Sequence, residues 1–244
     1  MENYLVSIIT ACLNDKDSIR NTIESVLNQT YKNIEFIVVD GGSTDGSQII
    51  LQEYFEKFSG HMKLISEPDS GLYFALNKGL KIATGKIIGI IGSGDYYELD
   101  AVYNIVNHMT NSDNEVLYGF IRVMHNNSEI SIYRNNPSNL ENQMIAFPSC
   151  FISRLLYCKE DGFNTTYKSS SDYYLLLRLF YDNNVKFIPV NNLISTFFTG
   201  GISSSYLGSE ETLKILLQHK IISKKLFFLR QISLKIRKAL IPRS

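Results

Sequence analysis

Between Tyr4 and Met109 the chain alternates short continuous apolar runs with longer stretches in which apolar residues recur every three or four positions. Tyr4 to Thr10 (YLVSIIT), Ile34 to Val39 (IEFIVV), Met62 to Ser66 (MKLIS) and Lys86 to Ile91 (KIIGII) have the first pattern. Such runs suit strands buried on both faces of a parallel sheet. Lys16 to Gln29 has the second pattern, with Ile19, Ile23, Val26 and Leu27 on one helical face. Gly46 to Phe58 predicts a second helix with Ile49, Ile50, Tyr54 and Phe58 inward. Ala75 to Ala83 predicts a third, closed by Gly85 in a C-terminal capping position, and Asp100 to Met109 a fourth. Alternating strands and helices predict an α/β fold: a doubly wound, mostly parallel sheet flanked by helices, with right-handed crossovers.

The pattern changes after Met109. Val116 to Val123 and Glu129 to Tyr133 read as a strand pair around an Asn126-Asn127 turn. Asn135 to Asn142 is polar and reads as a loop. Tyr173 to Tyr181 predicts a helix burying Leu175, Leu176 and Leu179, and Val185 to Pro189 a strand. No linker composition interrupts the chain. The expectation is one domain over residues 1–218 with two lobes, a first half to about residue 110 and a second from 111 to 218. Residues 219–244 form a separate C-terminal segment.

Polar residues collect where the apolar runs stop. Ile37 to Gly46 (IVVDGGSTDG) carries a buried run straight into Asp40, then a Gly/Ser/Thr/Asp turn. Ligands of open α/β sheets bind at the carboxyl ends of strands, where Asp40 could accept a hydrogen bond from a base or ribose. Gly41 and Gly42 would let a ligand approach the backbone; a plain strand-to-helix turn with Asp45 as N-cap is the alternative. Thr10 to Asn14 (TACLN) could line a base or form an ordinary loop. Glu67 to Gly79 (EPDSGLYFALNKG) crowds two acids, Gly71, a tyrosine and Lys78 together. Asp69 or Ser70 could cap the following helix, which accounts for one acid but not for Lys78. Gly92 to Asp95 (GSGD) places one carboxylate after a buried strand, where a divalent cation with oxygen ligands or a simple turn would suit it. Ser169 to Arg178 (SSSDYYLLLR) opens a helix with Asp172, either a first-turn acid or a general base. Phe197 to Ser205 (FFTGGISSS) could offer backbone N–H groups to a diphosphate or be a surface loop.

Charge and cysteine content narrow the classes. Net charge is zero, so the chain lacks the footprint of a nucleic-acid-binding protein. Three cysteines (Cys12, Cys150, Cys158) without CxxC spacing argue against a disulfide framework or zinc site and fit a reducing cytoplasm. Met1 to Leu5 is too short and polar for a signal peptide, and no run reaches the roughly 18 apolar residues of a membrane span.

Taken together, SVLNQTYKNIEFIVVDGGSTDG, SEPDSGLYFALNKG, ATGKIIGIIGSGD and YKSSSDYYLLLRL resemble the family 2 glycosyltransferases of the GT-A fold. The likeness covers about residues 4 to 205 and is strongest to bacterial members that build O-antigen, capsule or colanic-acid-type polysaccharide. The resemblance implies an inverting transfer from a nucleotide-diphosphate sugar, with UDP the expected nucleotide. It places Thr10, Ala11 and Asn14 around the base and Asp40 on it, with Asp69 and Lys78 near the nucleotide and its sugar. Gly42, Gly71 and Ser93 belong to the same donor-binding blocks. Asp95 would hold a divalent metal (Mn²⁺ or Mg²⁺), Asp172 would be the catalytic base, and Gly200, Gly201 and Ser203 form a candidate diphosphate loop. The implied acceptor is a polyprenyl-diphosphate-linked saccharide. Three positions depart from the family: Gly94 and Phe74 stand where relatives often have acids, and the His common near Pro148-Ser149 is absent. A catalytically weak donor-binding subunit is the alternative within this family. A nucleotidyltransferase would be expected to carry a Gly-rich basic phosphate loop, which TACLNDKDS is not.

The C-terminal segment has its own signature. Residues 219–244 hold eight Lys/Arg and no Asp or Glu. Over Lys224 to Leu240, Leu229, Ile232, Ile236 and Leu240 form a helical stripe, with Lys224, Lys235 and Lys238 towards the other side and Phe227 and Leu234 interrupting the polar face. A basic amphipathic helix predicts peripheral attachment to the cytoplasmic face of a bacterial plasma membrane; packing on the domain or on a second copy, in a homodimer, is the alternative.

Overall fold

The computed structural model describes residues 3–200 and 206–240, with side chains described through residue 200 and over 208–236. Nine strands form one sheet: β1 (Val6–Cys12), β2 (Ile34–Asp40), β3 (Met62–Ser66), β4 (Ile87–Ile90), β5 (Tyr96–Tyr97), β6 (Glu115–His125), β7 (Ser128–Tyr133), β8 (Cys150–Ser153) and β9 (Lys186–Phe198). Their order is β3-β2-β1-β4-β8-β6-β9-β5, with β7 paired to β6. Strands β3, β2, β1, β4, β6 and β9 share one direction; β8, β7 and β5 oppose it. The mostly parallel sheet expected of the α/β pattern is therefore present, and β8 joins its two halves.

The helices are α1 (Ile19–Leu27), α2 (Ser47–Phe55), α3 (Leu72–Ile82), α4 (Ala101–His108), α5 (Arg154–Lys159), α6 (Ser171–Tyr181), α7 (Tyr206–Gln218) and α8 (Lys224–Leu240). Alternate strand residues feed two cores. Val6, Ile8, Phe36 and Val38 face the layer holding Ile19 and Ile23 of α1, Leu51 of α2 and Ile105 of α4. Ile9, Ile37, Val39 and Ile88 face the layer of Leu76 on α3, Leu176 on α6 and Leu216 on α7. Each fully buried Ile or Phe contributes about 1.5–3 kcal/mol relative to exposure.

A buried polar knot fastens the amino ends of the first strands. The Glu35 carboxylate accepts from Ser7 Oγ (2.6 Å), Lys63 Nζ (2.6 Å), Thr84 N–H (2.5 Å) and Gly85 N–H (2.9 Å). Burial opposes its charge, but Lys63, Ser7 and Thr84 outweigh that and draw the carboxyl down to about 2. Gly85 belongs to this knot and is not a helix cap: α3 ends at Ala83 in extended backbone, and a Cβ on Gly85 would lie 2.5 Å from Ser7 N.

Several expectations shift. β1 starts and ends two residues later than the apolar run, which puts Ala11 and Cys12 inside the strand. Ile49 is 67% exposed, because α2 turns Ser47, Leu51 and Tyr54 inward. Gly46, not Asp45, occupies the α2 N-cap, although Asp45 accepts from the Ser47 N–H (2.9 Å) and the Lys16 N–H (2.9 Å). The Asn126-Asn127 turn has both residues left-handed (φ 46° and 61°), the geometry that matches hairpin twist. In the 135–142 loop, Pro137 and Leu140 are buried.

On α8, Phe227 is buried and Leu234 packs on the core, while Arg230 Nη2 donates to Asn142 Oδ1 (3.0 Å). The two residues that interrupt the polar face therefore dock the helix. Phe228, Leu229, Ile232 and Ile236 are more than half exposed. Leu240 and Lys238 carry side chains outside those described. Among the described residues no helix is long and apolar enough to cross a membrane.

Candidate functional site

The loops after β1 and β2 are laced together. Asn14, left-handed at φ 51°, donates its N–H to Ser43 Oγ (2.8 Å) and accepts from the Thr44 N–H (2.8 Å). Asp15 N–H donates to Ser47 Oγ (2.9 Å). Thr10 is wholly buried, and its hydroxyl has no hydrogen-bond partner among the described residues. Ala11 points to the opposite face, against the core that holds α3 and α6.

Asp40 ends β2 without exposure. Its carboxylate accepts from Ser43 N–H (3.1 Å), Gln48 Nε2 (2.9 Å) and Ser66 Oγ (2.6 Å). Burial works against its charge, but these bonds outweigh it and hold the carboxyl below the usual carboxylate range. Asp40 thus shapes the Gly41–Ser47 turn in this conformation, through Gln48 and Ser66, partners the sequence does not reveal.

The EPDSGLY block meets that turn. A Cβ on Gly41 would lie 2.9 Å from Asp69 Oδ2, and one on Gly42 (φ 87°) 3.4 Å from Pro68. Glycine at 41 therefore lets Asp69 lie over the backbone beside Asp40. Asp69 Oδ1 accepts from the Gly71 N–H (2.8 Å), so it closes the turn, while Gly71 itself is the α3 N-cap and Ser70 caps nothing. Lys78 folds back to pair with Glu67 (2.8 Å) and donates to Pro68 O (3.4 Å). Asp40, Gly42, Asp69, Gly71 and Lys78 consequently form one cluster at the strand ends.

The GSGD turn is held from α1. Thr22 Oγ1 donates to Asp95 O (2.6 Å) and accepts from the Gly94 N–H (2.9 Å). Asp95 Oδ1 accepts from the Phe198 N–H (2.9 Å) at the end of β9, while Oδ2 lies 2.7 Å from where a Gly92 Cβ would be. Burial pushes the Asp95 carboxyl up to about 7, opposed by the Phe198 N–H and assisted by the field of Asp15. Asp15 accepts from Ser93 Oγ and Ser18 Oγ, and its Oδ2 lies 3.8 Å from the position of a Gly94 Cβ. A carboxylate is thus supplied beside the acid-free position by the β1–α1 loop. Sequence reasoning missed it because Asp15 is remote in the chain and sits among other polar residues. Among the described residues, no group of three His, Cys, Asp or Glu side chains forms a metal cage. Two carboxylates beside a turn lacking side chains at 92 and 94 nevertheless suit a hard cation that takes further oxygens from a phosphate.

Phe198 leads directly to the candidate diphosphate loop. Gly200 is exposed and left-handed (φ 118°); Gly201 and Ser203 lie outside the described residues.

Asp172 stands in the first turn of α6 and is joined to the first half of the chain. Tyr73 Oη of α3 donates to its Oδ1 (3.0 Å). Burial pushes the Asp172 carboxyl up to about 6, although the Tyr173 N–H and Tyr73 hydroxyl favour its charge. The preceding loop is clamped from α7: Glu211 accepts from Lys168 N–H (2.9 Å) and Ser169 N–H (2.8 Å). Of the departing positions, Phe74 is 41% exposed at the start of α3, and Ser149 is buried, donating to Ala146 O (2.8 Å).

The glycosyl transferase family 2 model matches residues 7–198, which contain the blocks above except the candidate diphosphate loop at Gly200, α7 and α8. WfgD of Escherichia coli, a UDP-Glc:α-D-GlcNAc-diphosphoundecaprenol β-1,3-glucosyltransferase, is 28% identical over 202 residues, 81% of this chain and 78% of WfgD. WfaP of Escherichia coli, with the same described activity, is 41% identical over 105 residues, 43% of this chain and 41% of WfaP. The match thus spans less than half of WfaP's length. In structure the chain is similar to Staphylococcus aureus TarS 1–349 bound to UDP-GlcNAc (TM-score 0.70, 19% identity, 86% of this chain and 64% of that one). It is equally similar to the mannosyltransferase PcManGT of Pyrobaculum calidifontis with GDP-Man and Mn²⁺ (TM-score 0.70, 16% identity, 92% and 66%). These likenesses establish the GT-A fold, and the family match over most of the chain settles its membership: this protein is a member of glycosyl transferase family 2.

Proposed function

We propose that this chain transfers a sugar, with inversion, from a UDP-sugar to a hydroxyl of a polyprenyl-diphosphate-linked saccharide. The observation that carries this reading is the joining of the strand-end loops into one surface, with Asp172 tied to it through Tyr73. WfgD and WfaP, which act on a diphosphoundecaprenol-linked GlcNAc with UDP-Glc, support the choice of donor and acceptor.

The nucleotide lies at the ends of β1 and β2. The Thr10–Asn14 backbone, with Ala11, flanks the base, and Asp40 with Gly42 shapes its seat. Asp69, Gly71, Lys78 and Ser93 face the ribose, diphosphate and sugar, and the Gly200, Gly201 and Ser203 segment supplies backbone N–H groups as candidate partners for the diphosphate. Lys78 exchanges its pairing with Glu67 for the anionic donor. Asp95, with Asp15 beside it, would hold a divalent ion, which supplies charge neutralisation on the leaving diphosphate when bound. Asp172 accepts the proton of the acceptor hydroxyl. The hydroxyl oxygen forms a bond to the anomeric carbon from the face opposite the leaving group, the carbon–oxygen bond to the diphosphate breaks, and the nucleoside diphosphate departs. A carboxyl at about 6 is ionised at neutral pH and still basic enough to take that proton.

The outer stripe of α8 supports placement at the cytoplasmic face of the plasma membrane, where such an acceptor is held. Phe228, Leu229, Ile232 and Ile236 are exposed, and residues 219–244 carry eight Lys/Arg and no acids. Each Lys or Arg near an anionic surface contributes about 1 kcal/mol.

A second reading, a donor-binding subunit with weak catalysis, is favoured by the single acid of Gly92–Asp95. Thermal shift with UDP, GDP and dTDP sugars, with and without Mn²⁺, followed by single-turnover transfer to a polyprenyl-diphosphate GlcNAc, separates the readings. Donor binding with transfer supports the enzyme; binding without transfer supports the subunit; no stabilisation by any nucleotide sugar rejects both.

A further inference from the structure

We infer that Tyr73 is a positioning residue for proton transfer: its hydroxyl holds Asp172 so that Oδ2 is the oxygen that receives the acceptor proton. This inference rests on Asp172 being the base. Asp172 Oδ1 takes two hydrogen bonds, from Tyr73 Oη (3.0 Å) and from the Tyr173 N–H (2.8 Å). Both donors fall on one oxygen. The carboxylate is therefore held from its Oδ1 side, and among the described residues no side chain donates to Oδ2, the oxygen turned to substrate in this inference.

Tyr73 is itself rigidly placed. It is buried on α3, with its ring 5.3 Å from that of Phe163. Four residues further on the same helical face, Asn77 Nδ2 donates to Phe163 O (2.8 Å), and Asn77 Oδ1 accepts from the Phe163 N–H (2.8 Å). Helix α3 thus grips the second half at two points, residues 163 and 172. Its N-cap Gly71 donates to Asp69, which lies over Gly41. One stiff element carries both a donor-site loop and the partner of the base, which accounts for the tyrosine and asparagine within EPDSGLYFALNKG.

The other titratable groups around Asp172 are Cys150 of β8, Tyr157 of α5 and Glu211 of α7, with Tyr73 on α3. Cys150 and Tyr157 are buried, and burial raises both above their ordinary values, so both are neutral at working pH. Glu211 opposes the Asp172 charge, and Tyr73 is the side-chain donor that favours it.

The test is the pH dependence of kcat for Tyr73→Phe and for the full chain carrying 3-fluorotyrosine at position 73. A lost donor destabilises the carboxylate, so Tyr73→Phe moves the acidic limb of kcat upward by about one pH unit, with the donor KM unchanged. The fluorinated phenol is a stronger donor and moves the limb downward. Opposite displacements uphold the inference. A uniform loss of activity with both limbs at the wild-type position overturns it and leaves Tyr73 a packing residue. If Tyr73→Phe fails to fold, the fluorotyrosine limb alone decides. Asp172→Asn is run in parallel. Full activity there refutes the base itself, whereas an inactive Asp172→Asn with unmoved limbs refutes only the role of Tyr73.

Discussion

At the scale of single residues, burial sets the chemistry. Asp172 and Asp95 are both acids drawn above their ordinary 3.8, to about 6 and about 7, by removal from water. Asp172→Asn should lower kcat by about 10²–10⁴-fold while calorimetry finds donor affinity retained. Wild-type kcat should fall as pH drops through about 6, where Asp172 gains a proton. For Asp95 the folded state holds its proton more tightly than the unfolded chain, so this group costs stability as pH rises from 3.8 to about 7. A cation relieves that cost and competes with the proton. Apparent Mn²⁺ affinity should therefore fall about tenfold for each pH unit below 7, and the Mn²⁺-induced rise in Tm should be larger at pH 8 than at pH 6. Equal rises at both values, or a metal response surviving in Asp95→Asn, would remove Asp95 from that role. These positions were legible as strand-end or helix-start acids. Their environments were not, because Asp15 arrives beside Asp95 from the β1–α1 loop and Tyr73 reaches Asp172 from α3.

Among elements, legibility followed length and period. β2, an apolar run, and β3, a shorter one bounded by turn residues on both sides, match their expected positions within a residue. β5 has two residues and β8 four, too short to show a period. β9 runs thirteen residues, but Pro189 and the Asn191-Asn192 pair made its apolar signal stop early. α7 went unread because Gly208 and a run of polar residues blur its face, yet its Glu211 clamps the loop before Asp172. Gly85 shows how a residue type can be right for the wrong reason: it meets Ser7 of β1 and does not cap α3. The knot around Glu35 belongs to this scale, since it joins β1, β2, β3 and the α3–β4 connection. Its folded value lies below the ordinary 4.5, so its stabilisation is present above 4.5 and lost as pH falls towards about 2. Glu35→Gln should cost about 2–3 kcal/mol in urea unfolding at pH 7 and flatten the acid dependence over that window.

For the whole molecule, β8 fuses a parallel nucleotide-type half and a mixed second half into one sheet, and α8 lies across the second core. The helix has two apolar faces: Phe227 and Leu234 dock it, while Phe228, Leu229, Ile232 and Ile236 face outward. The sequence stripe was visible; which face was already occupied was not, because both faces are apolar. Replacing Phe228, Ile232 and Ile236 by Ser should leave Tm nearly unchanged and reduce co-sedimentation with anionic vesicles. Unaltered vesicle binding would favour another membrane contact, and a changed sedimentation coefficient of the free protein would favour a dimer through α8. The account stands most directly on the stereochemistry of transfer. UDP-glucose, an α-linked donor, is incubated with Mn²⁺ and a polyprenyl-diphosphate GlcNAc, and the product is examined by NMR at the new anomeric centre. The account predicts a β-linked disaccharide whose formation Asp172→Asn abolishes. An α-linked product, or UDP released with no glycoside formed from any UDP-sugar, would contradict it.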